Sequence, residues 1–198
     1  GKTDLNAKLE ADVDFSPSGK IMSYSRGYSG TFDGQGHSLM VDINAETRSG
    51  ALFMMLDNAT IRNLNLKGKI TSSAWYASSV ASYTYGQTLI ENVSSDVDIV
   101  STIRGDGFHG GLVGLSGKGT VINNCVFTGS ITSETTTYCG GFLGWADGLT
   151  LIQNSMMLGD ISSVAQHGAV FACYPVNASV TNSYYTTMAG NSDNGATL

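Results

Sequence analysis

The sequence predicts an all-β chain coiled as a single-stranded right-handed parallel β-helix (solenoid) of about five to six turns with an N-terminal cap. Three observations lead there. First, TVINNCVFTGSI (120–131) and TLIQNSMMLGDI (150–161) state one skeleton twice, and it recurs as TIRNLNLKGKI (60–70), TLIENVSSDVDI (88–99) and, decayed, SVTNSYYTT (179–187). Second, the apolar residues fall in short β-branched runs without the i, i+3, i+4 spacing of a helix. Third, 25 glycines beside only two prolines supply many tight turns.

Each element has its own reason. Residues 1–30 are expected to form the N-terminal capping segment, with Leu5, Leu9, Val13 and Phe15 covering the open edge of the first turn. The glycine-rich YSGTFDGQGHSL (28–39) then turns through Gly34 and Gly36 into a strand at 38–43. Residues 31–187 hold the repeats. Their anchor is one asparagine per unit, at Asn63, Asn92, Asn124, Asn154 and Asn182, with spacings of 29, 32, 30 and 28. Two residues before the anchor stand Ile61, Ile90, Ile122, Ile152 and Val180; seven after it stand Ile70, Ile99, Ile131 and Ile161. The residue after the anchor is Leu64, Val93, Cys125, Ser155 or Ser183. Upstream, GALF (50–53), GGLVG (110–114), GGFLG (140–144) and GAVFA (168–172) repeat, with SSVA (78–81) as the weakest copy.

Stacked turns place like columns on one another, so the aliphatic columns are interior files and the asparagines a structural ladder. Asn tolerates the positive φ of a sharp corner, and its amide both donates and accepts along the axis. Matching columns also set Arg62 against Glu91, Lys67 against Asp96 and Lys69 against Asp98, three surface pairs that support the register. The tail, 188–198 (MAGNSDNGATL), shows no capping element, and the chain reads as an excerpt from a longer multidomain protein.

Bulk properties limit the partners. A length of 198 residues at 41% hydrophobic content suits one buried domain. The charged fraction of 13% is low, and a net charge of −6 disfavours nucleic acid and anionic membrane surfaces. No membrane insertion is expected, because the apolar run ALFMML (51–56) is far too short to span. No secretory signal is visible. Cys125, Cys139 and Cys173 show no metal-ligand spacing and are expected as small buried side chains, with a Cys139–Cys173 bridge left open.

At GTFDGQGHSL (30–39), GALF and ATIRNLNLKGKI (59–70), and most closely at GGLVGLSGKGTVINNCVFTGSI (110–131) and GGFLGWADGLTLIQNSMMLGDI (140–161), the chain resembles bacterial extracellular parallel β-helix modules with GLUG-type repeats. The resemblance covers about residues 5–187. It departs at 78–99, which lacks the glycine pair, and only one unit keeps Cys after the asparagine. Such repeats occur in adhesin-like surface proteins and accessory regions of IgA-protease-type metallopeptidases. The resemblance implies an extracellular or cell-surface location and a structural or binding role, and it supplies no catalytic motif.

A search for chemistry yields little. Polysaccharide lyases and glycoside hydrolases also use this architecture, and they form the alternative reading; a glycosidase needs two carboxylates across one cleft. Asp96 and Asp98 share a strand face, and Asp160 shares the column of Asp98 beyond Ser130, but ion pairing explains them better. DGQGH (33–37) lacks the GK[ST] ending and the following helix of a phosphate loop. His37, His109 and His167 are isolated, so neither a metal nor a cofactor is expected. The N-x-[ST] matches at Asn58, Asn92 and Asn177 read as accidental, with Asn92 inaccessible in its ladder.

What differs between units is the segment after each last strand: TSSAWYA (71–77), VSTIRGDGFH (100–109), TSETTTYC (132–139) and SSVAQH (162–167). In a solenoid these emerge along one flank. Trp75, Tyr76, Arg104, Phe108, His109 and Tyr138 are therefore the candidate ligand-binding residues, for a host or microbial glycan or a surface protein; the competing expectation is that these rings fold back over the sheet edge. The function expected is a non-enzymatic structural or adhesive module.

Overall fold

Like does lie on like. In the computed structural model, which describes residues 3–18, 27–46, 49–105, 107–133, 138–162, 168–186 and 194, every strand pairs in parallel. Each turn contributes to three sheets. A broad sheet of 14 strands carries the repeats' asparagine skeleton; a narrow sheet of four strands holds Tyr76–Ser78, Phe108–Gly110, Tyr138–Gly140 and Gly168–Ala169. A middle sheet of five strands holds Phe53–Asp57, Ala81–Tyr85, Val113–Ser116, Leu143–Ala146 and Ala172–Tyr174, and so counts five turns of a parallel β-solenoid. Among the described residues the sole helical piece is a 3-10 turn at Ser16–Ser18.

The interior files follow the sequence columns. Phe32, Ile61, Ile90, Ile122, Ile152 and Val180 stand in register, as do Ile43, Ile70, Ile99, Ile131 and Ile161. Phe32 and Ile43, absent from the repeat alignment, extend each file into the first turn. Phe53, Phe127, Phe142 and Phe171 fill the remaining volume, fully buried. The column after the anchor changes from Leu64 and Val93 to Cys125, Ser155 and Ser183 without leaving a polar group stranded. Cys125 N–H donates to Ser155 Oγ (3.1 Å), Ser155 N–H to Ser183 Oγ (3.2 Å), and each hydroxyl donates to a carbonyl two residues back. Ser78, Gly110, Gly140 and Ala169 share one column, so SSVA aligns as the weak copy, whereas GAVFA lies one residue out of the expected register, with Ala169 and not Gly168 opposite Gly140.

The five anchor asparagines all have positive φ, between 45° and 53°. Asn92 Nδ2 donates to Asn63 Oδ1 (3.0 Å), Asn124 to Asn92 (2.7 Å) and Asn182 to Asn154 (2.6 Å). Two details depart from a uniform ladder. Asn154 donates sideways to Asn123 Oδ1 (2.8 Å), and the file begins on a carboxylate, with Asn63 donating to Asp33 Oδ1 (3.0 Å). The ladder is also on the outside. Asn92 is exposed, contrary to the inaccessible position expected, because left-handed backbone at a corner turns the amide away from the core.

The charge columns are in register, Arg62 with Glu91, Lys67 with Asp96 and Lys69 with Asp98. The expected ion pairs do not follow from it. Arg62 turns back to Asp33 (2.9 Å), and neither lysine is within bridging distance of its opposite carboxylate among the described residues. Solvated side chains gain too little from an exposed pair to be held there.

At the N-terminal end Ala7–Lys8 pairs with Thr31–Asp33, and Val13–Asp14 with Ser38–Ala45. Leu9 and Phe15 pack on the core. Leu5 and Val13, expected with them, are 54% and 37% exposed, although Val13 stands in register with the buried Leu39. The tight turn uses Gln35 and Gly36 at positive φ rather than Gly34, where a Cβ would lie 2.5 Å from the Asn63 carbonyl. At the other end one residue of the tail, which was read as showing no capping element, meets the last strands. Asn194 Oδ1 accepts from Phe171 and Ala172 N–H (3.0 and 2.9 Å), and its Nδ2 donates to Ala172 O (2.9 Å). In the previous turn Phe142 and Leu143 N–H find Phe171 O (2.9 Å each), and this amide accepts as that carbonyl does. The remainder of 187–198 lies outside the described residues.

Candidate functional site at the aromatic corner

The candidate site lies where the broad sheet hands over to the narrow one. Ser72, Ser101 and Ser133 end the broad strands in one buried column. The Ser72 hydroxyl accepts from Ala74 N–H (3.0 Å) and that of Ser101 from Ile103 N–H (3.5 Å), folding each corner on its own first residue. The folded corners carry Trp75 and Arg104 outward. Phe108 N–H then donates to Trp75 O (2.7 Å) and Tyr138 N–H to Gly107 O (2.8 Å), which fixes successive corners to one another.

Beyond the corner, Tyr76, Phe108 and Tyr138 stand in register on the narrow sheet. Their rings stack, Tyr76 on Phe108 at 6.0 Å and 18° and Phe108 on Tyr138 at 4.9 Å and 13°. Rings from the middle sheet close on this file: Tyr83 on Tyr76 (4.7 Å), Trp145 on Phe108 (4.7 Å) and Tyr174 edge-on to Tyr138 (5.9 Å). The two sheets can approach this closely because Gly114 and Gly144 occupy the column between them. A Cβ on Gly114 would lie 2.8 Å from Tyr76 Cβ, and one on Gly144 would lie 2.8 Å from His109 N. Each such ring pair contributes about 0.5–1.5 kcal/mol beyond its burial.

Trp75, Arg104, Phe108 and Tyr138 line a recess of about 420 Å³. Trp75 is 65% exposed and Arg104 is exposed. Four of the six candidate residues therefore meet. Tyr76 does not line the recess; it is 8% exposed and forms the end of the ring file, the fold-back role. His109 is fully buried on the opposite face of its strand and is corrected from flank to core. Its Nδ1 accepts Ala77 N–H (3.2 Å), Nε2 has no partner, and burial lowers its pKa to about 4. Asp106, 134–137 and 163–167, with His167, lie outside the described residues.

Sequence reasoning missed Tyr83, Trp145 and Tyr174. The signal was present: five residues after Ser78, Gly140 and Ala169, which share a column, stand those three rings, with Leu115 after Gly110.

Other chemistry is quiet. Asp96 and Asp98 are exposed on the broad sheet; Asp98 Oδ1 accepts Ser130 Oγ (2.6 Å), and Asp160 follows Ser130 in register. A second recess of about 440 Å³ contains Lys8, Arg62 and, from the segment likened to a phosphate loop, Asp33 and Gln35. Its Asp33 carboxyl is held below the usual range by the Asn63 amide first and by Gln35 N–H, so it serves the ladder. Burial pushes the Cys125 and Cys173 thiols up to about 12. Cys139 points into the core, whereas Cys173 takes the Gly144 column between the sheets; all three cysteines are thiols. Among the described residues no group of three His, Cys, Asp or Glu is placed to hold a metal ion.

No protein-family model matches the chain, and no curated protein matches it. Solved structures do. One named IgA1 protease aligns with a TM-score of 0.64 and 19% identity over 93% of this chain, which spans only 19% of that protein. A second, a Bacteroides ovatus protein provisionally named an immunoglobulin A1 protease, aligns with a TM-score of 0.61 and 18% identity over 98% of this chain and 73% of its own. At this identity the likeness establishes the fold they share with this chain.

Proposed function

We propose that this chain is a non-enzymatic structural and adhesive module of a secreted or surface-attached bacterial protein, built from GLUG-type repeats and holding a glycan or surface protein at its aromatic corner. The recess of Trp75, Arg104, Phe108 and Tyr138 carries this reading. Rings and a guanidinium on a stiff wall are groups that hold a ligand, and the indole is presented by a corner already tied down by a serine hydroxyl. The likeness to proteins named as IgA1 proteases supports an accessory role beside a peptidase, since the chain spans 19% of one of them. Asp96 and Asp98, the carboxylates best placed for sugar chemistry, face outward from the broad sheet away from the recess lining.

Arrays of glycans and surface proteins test the proposal. The expected result is retention without turnover, weakened at least about tenfold by Trp75→Ala with no change in melting temperature. Release of unsaturated or reducing-end sugar from a polysaccharide panel, or undiminished retention by the variant, contradicts it.

A further inference from the structure

We infer that the aromatic corner is a subsite for a sugar bearing one carboxylate, such as a terminal uronic acid, with the pyranose on Trp75 and the carboxylate on Arg104. The inference rests on the proposed binding role and names its ligand class. Its first support is charge. Beyond Lys69 the sequence has only one arginine and one lysine, Arg104 and Lys118. Arg104 stands in the recess, and among the described residues it has no carboxylate in bridging distance and the lining around it contains no acid. An exposed guanidinium offers two parallel N–H donors to a carboxylate, a geometry that lysine does not provide.

The second support is shape. Trp75 is 65% exposed and has no ring partner among the described residues, whereas Phe108 and Tyr138 stack on each other. An exposed indole beside a cation suits the C–H face of a pyranose whose carboxylate lies to one side. A volume of about 420 Å³ sits at the small end of ligand pockets, the size of one or two sugar rings. An acidic peptide is the weaker fit: Phe108 and Tyr138 N–H are already bonded to the neighbouring corners, so among the described residues no free strand edge faces the recess to add a chain. The net charge of −6 repels a polyanion at long range and favours a single terminal acid over a polyuronate.

The test uses matched methyl glycosides, glucuronide against glucoside and galacturonide against galactoside, titrated into the chain while the Trp75 indole N–H resonance is followed. The acid of each pair is expected to bind about tenfold more tightly, and Arg104→Gln to erase that difference. Arg104→Lys should retain only part of it. Equal binding of acid and neutral glycosides overturns the inference but leaves the binding role standing. Equal or tighter binding of a glutamate-rich peptide also overturns it, in favour of a protein ligand. No response to any sugar overturns the inference together with the glycan half of the proposed function. As Arg104 is exposed, an unchanged melting temperature shows that the Gln variant remains folded.

Discussion

Asn92 sits at φ 53°, a region where a Cβ crowds the following carbonyl and where Asn is among the few tolerated side chains. It also links Asn63 and Asn124 through its amide. The two roles separate on substitution. Asn92→Ala should cost about 1–2 kcal/mol in urea unfolding, mostly backbone strain, and Asn92→Gly distinctly less, since glycine accepts this φ. Equal losses would show that the amide ladder, not the corner, requires the asparagine. His109 makes a second prediction. Its pKa is lowered to about 4 by burial, against an ordinary 6.5. Above pH 6.5 both folded and unfolded chains are neutral there, and the stability is whole. Between pH 6.5 and about 4 only the unfolded chain takes the proton, so stability falls with pH, by on the order of 3 kcal/mol in all. His109→Gln, which keeps an acceptor for Ala77 N–H, should flatten that window; an unchanged pH profile would contradict the buried neutral imidazole.

Elements are stabilised here by side chains that imitate backbone. Ser155 and Ser183 accept amides inside the coil, Ser72 and Ser101 fold the corners, and Asn194 accepts the Phe171 and Ala172 amides as a stacked backbone carbonyl does in the preceding turn. The repeat alignment placed Ser155 and Ser183 in a column, but none of these hydrogen-bonding roles was legible in it, because it reads columns by side-chain type and not by the backbone groups each side chain meets. Asn194 was least legible, because its contacts are with Phe171 and Ala172, far from it in sequence, and no period connects them. Asn194→Ala should speed amide exchange at Phe171 and Ala172 at least about tenfold and promote self-association through the opened sheet end, read by sedimentation. Unaltered exchange at those two amides would remove the capping role.

For the whole molecule, the period of the sequence determined the architecture because each turn buries its apolar face only on its neighbours. That constraint makes columns readable: the two isoleucine files and the charge register appear in the structure as aligned. The same logic explains what was not readable. Outward side chains have no such constraint, so register alone did not place Arg62 on Asp33 rather than Glu91. His109 was assigned to the flank because its neighbour Phe108 belongs there, whereas strand alternation sends it inside. The recess itself was half legible: its lining comes from the corner segments, but the rings behind it come from the middle sheet, and only the close packing allowed by Gly114 and Gly144 joins them.

The account stands on stacking of like columns, and a spin-label distance series tests this most directly. Thr60, Leu89, Val121, Leu151 and Ser179 form one column facing outward from the broad sheet. With Cys125→Ser, Cys139→Ala and Cys173→Gly as background, labels at 60 and 151 and at 60 and 179 should give narrow distributions whose means differ by one turn, about 4.8 Å. Equal, inverted or broadly scattered distances would contradict it.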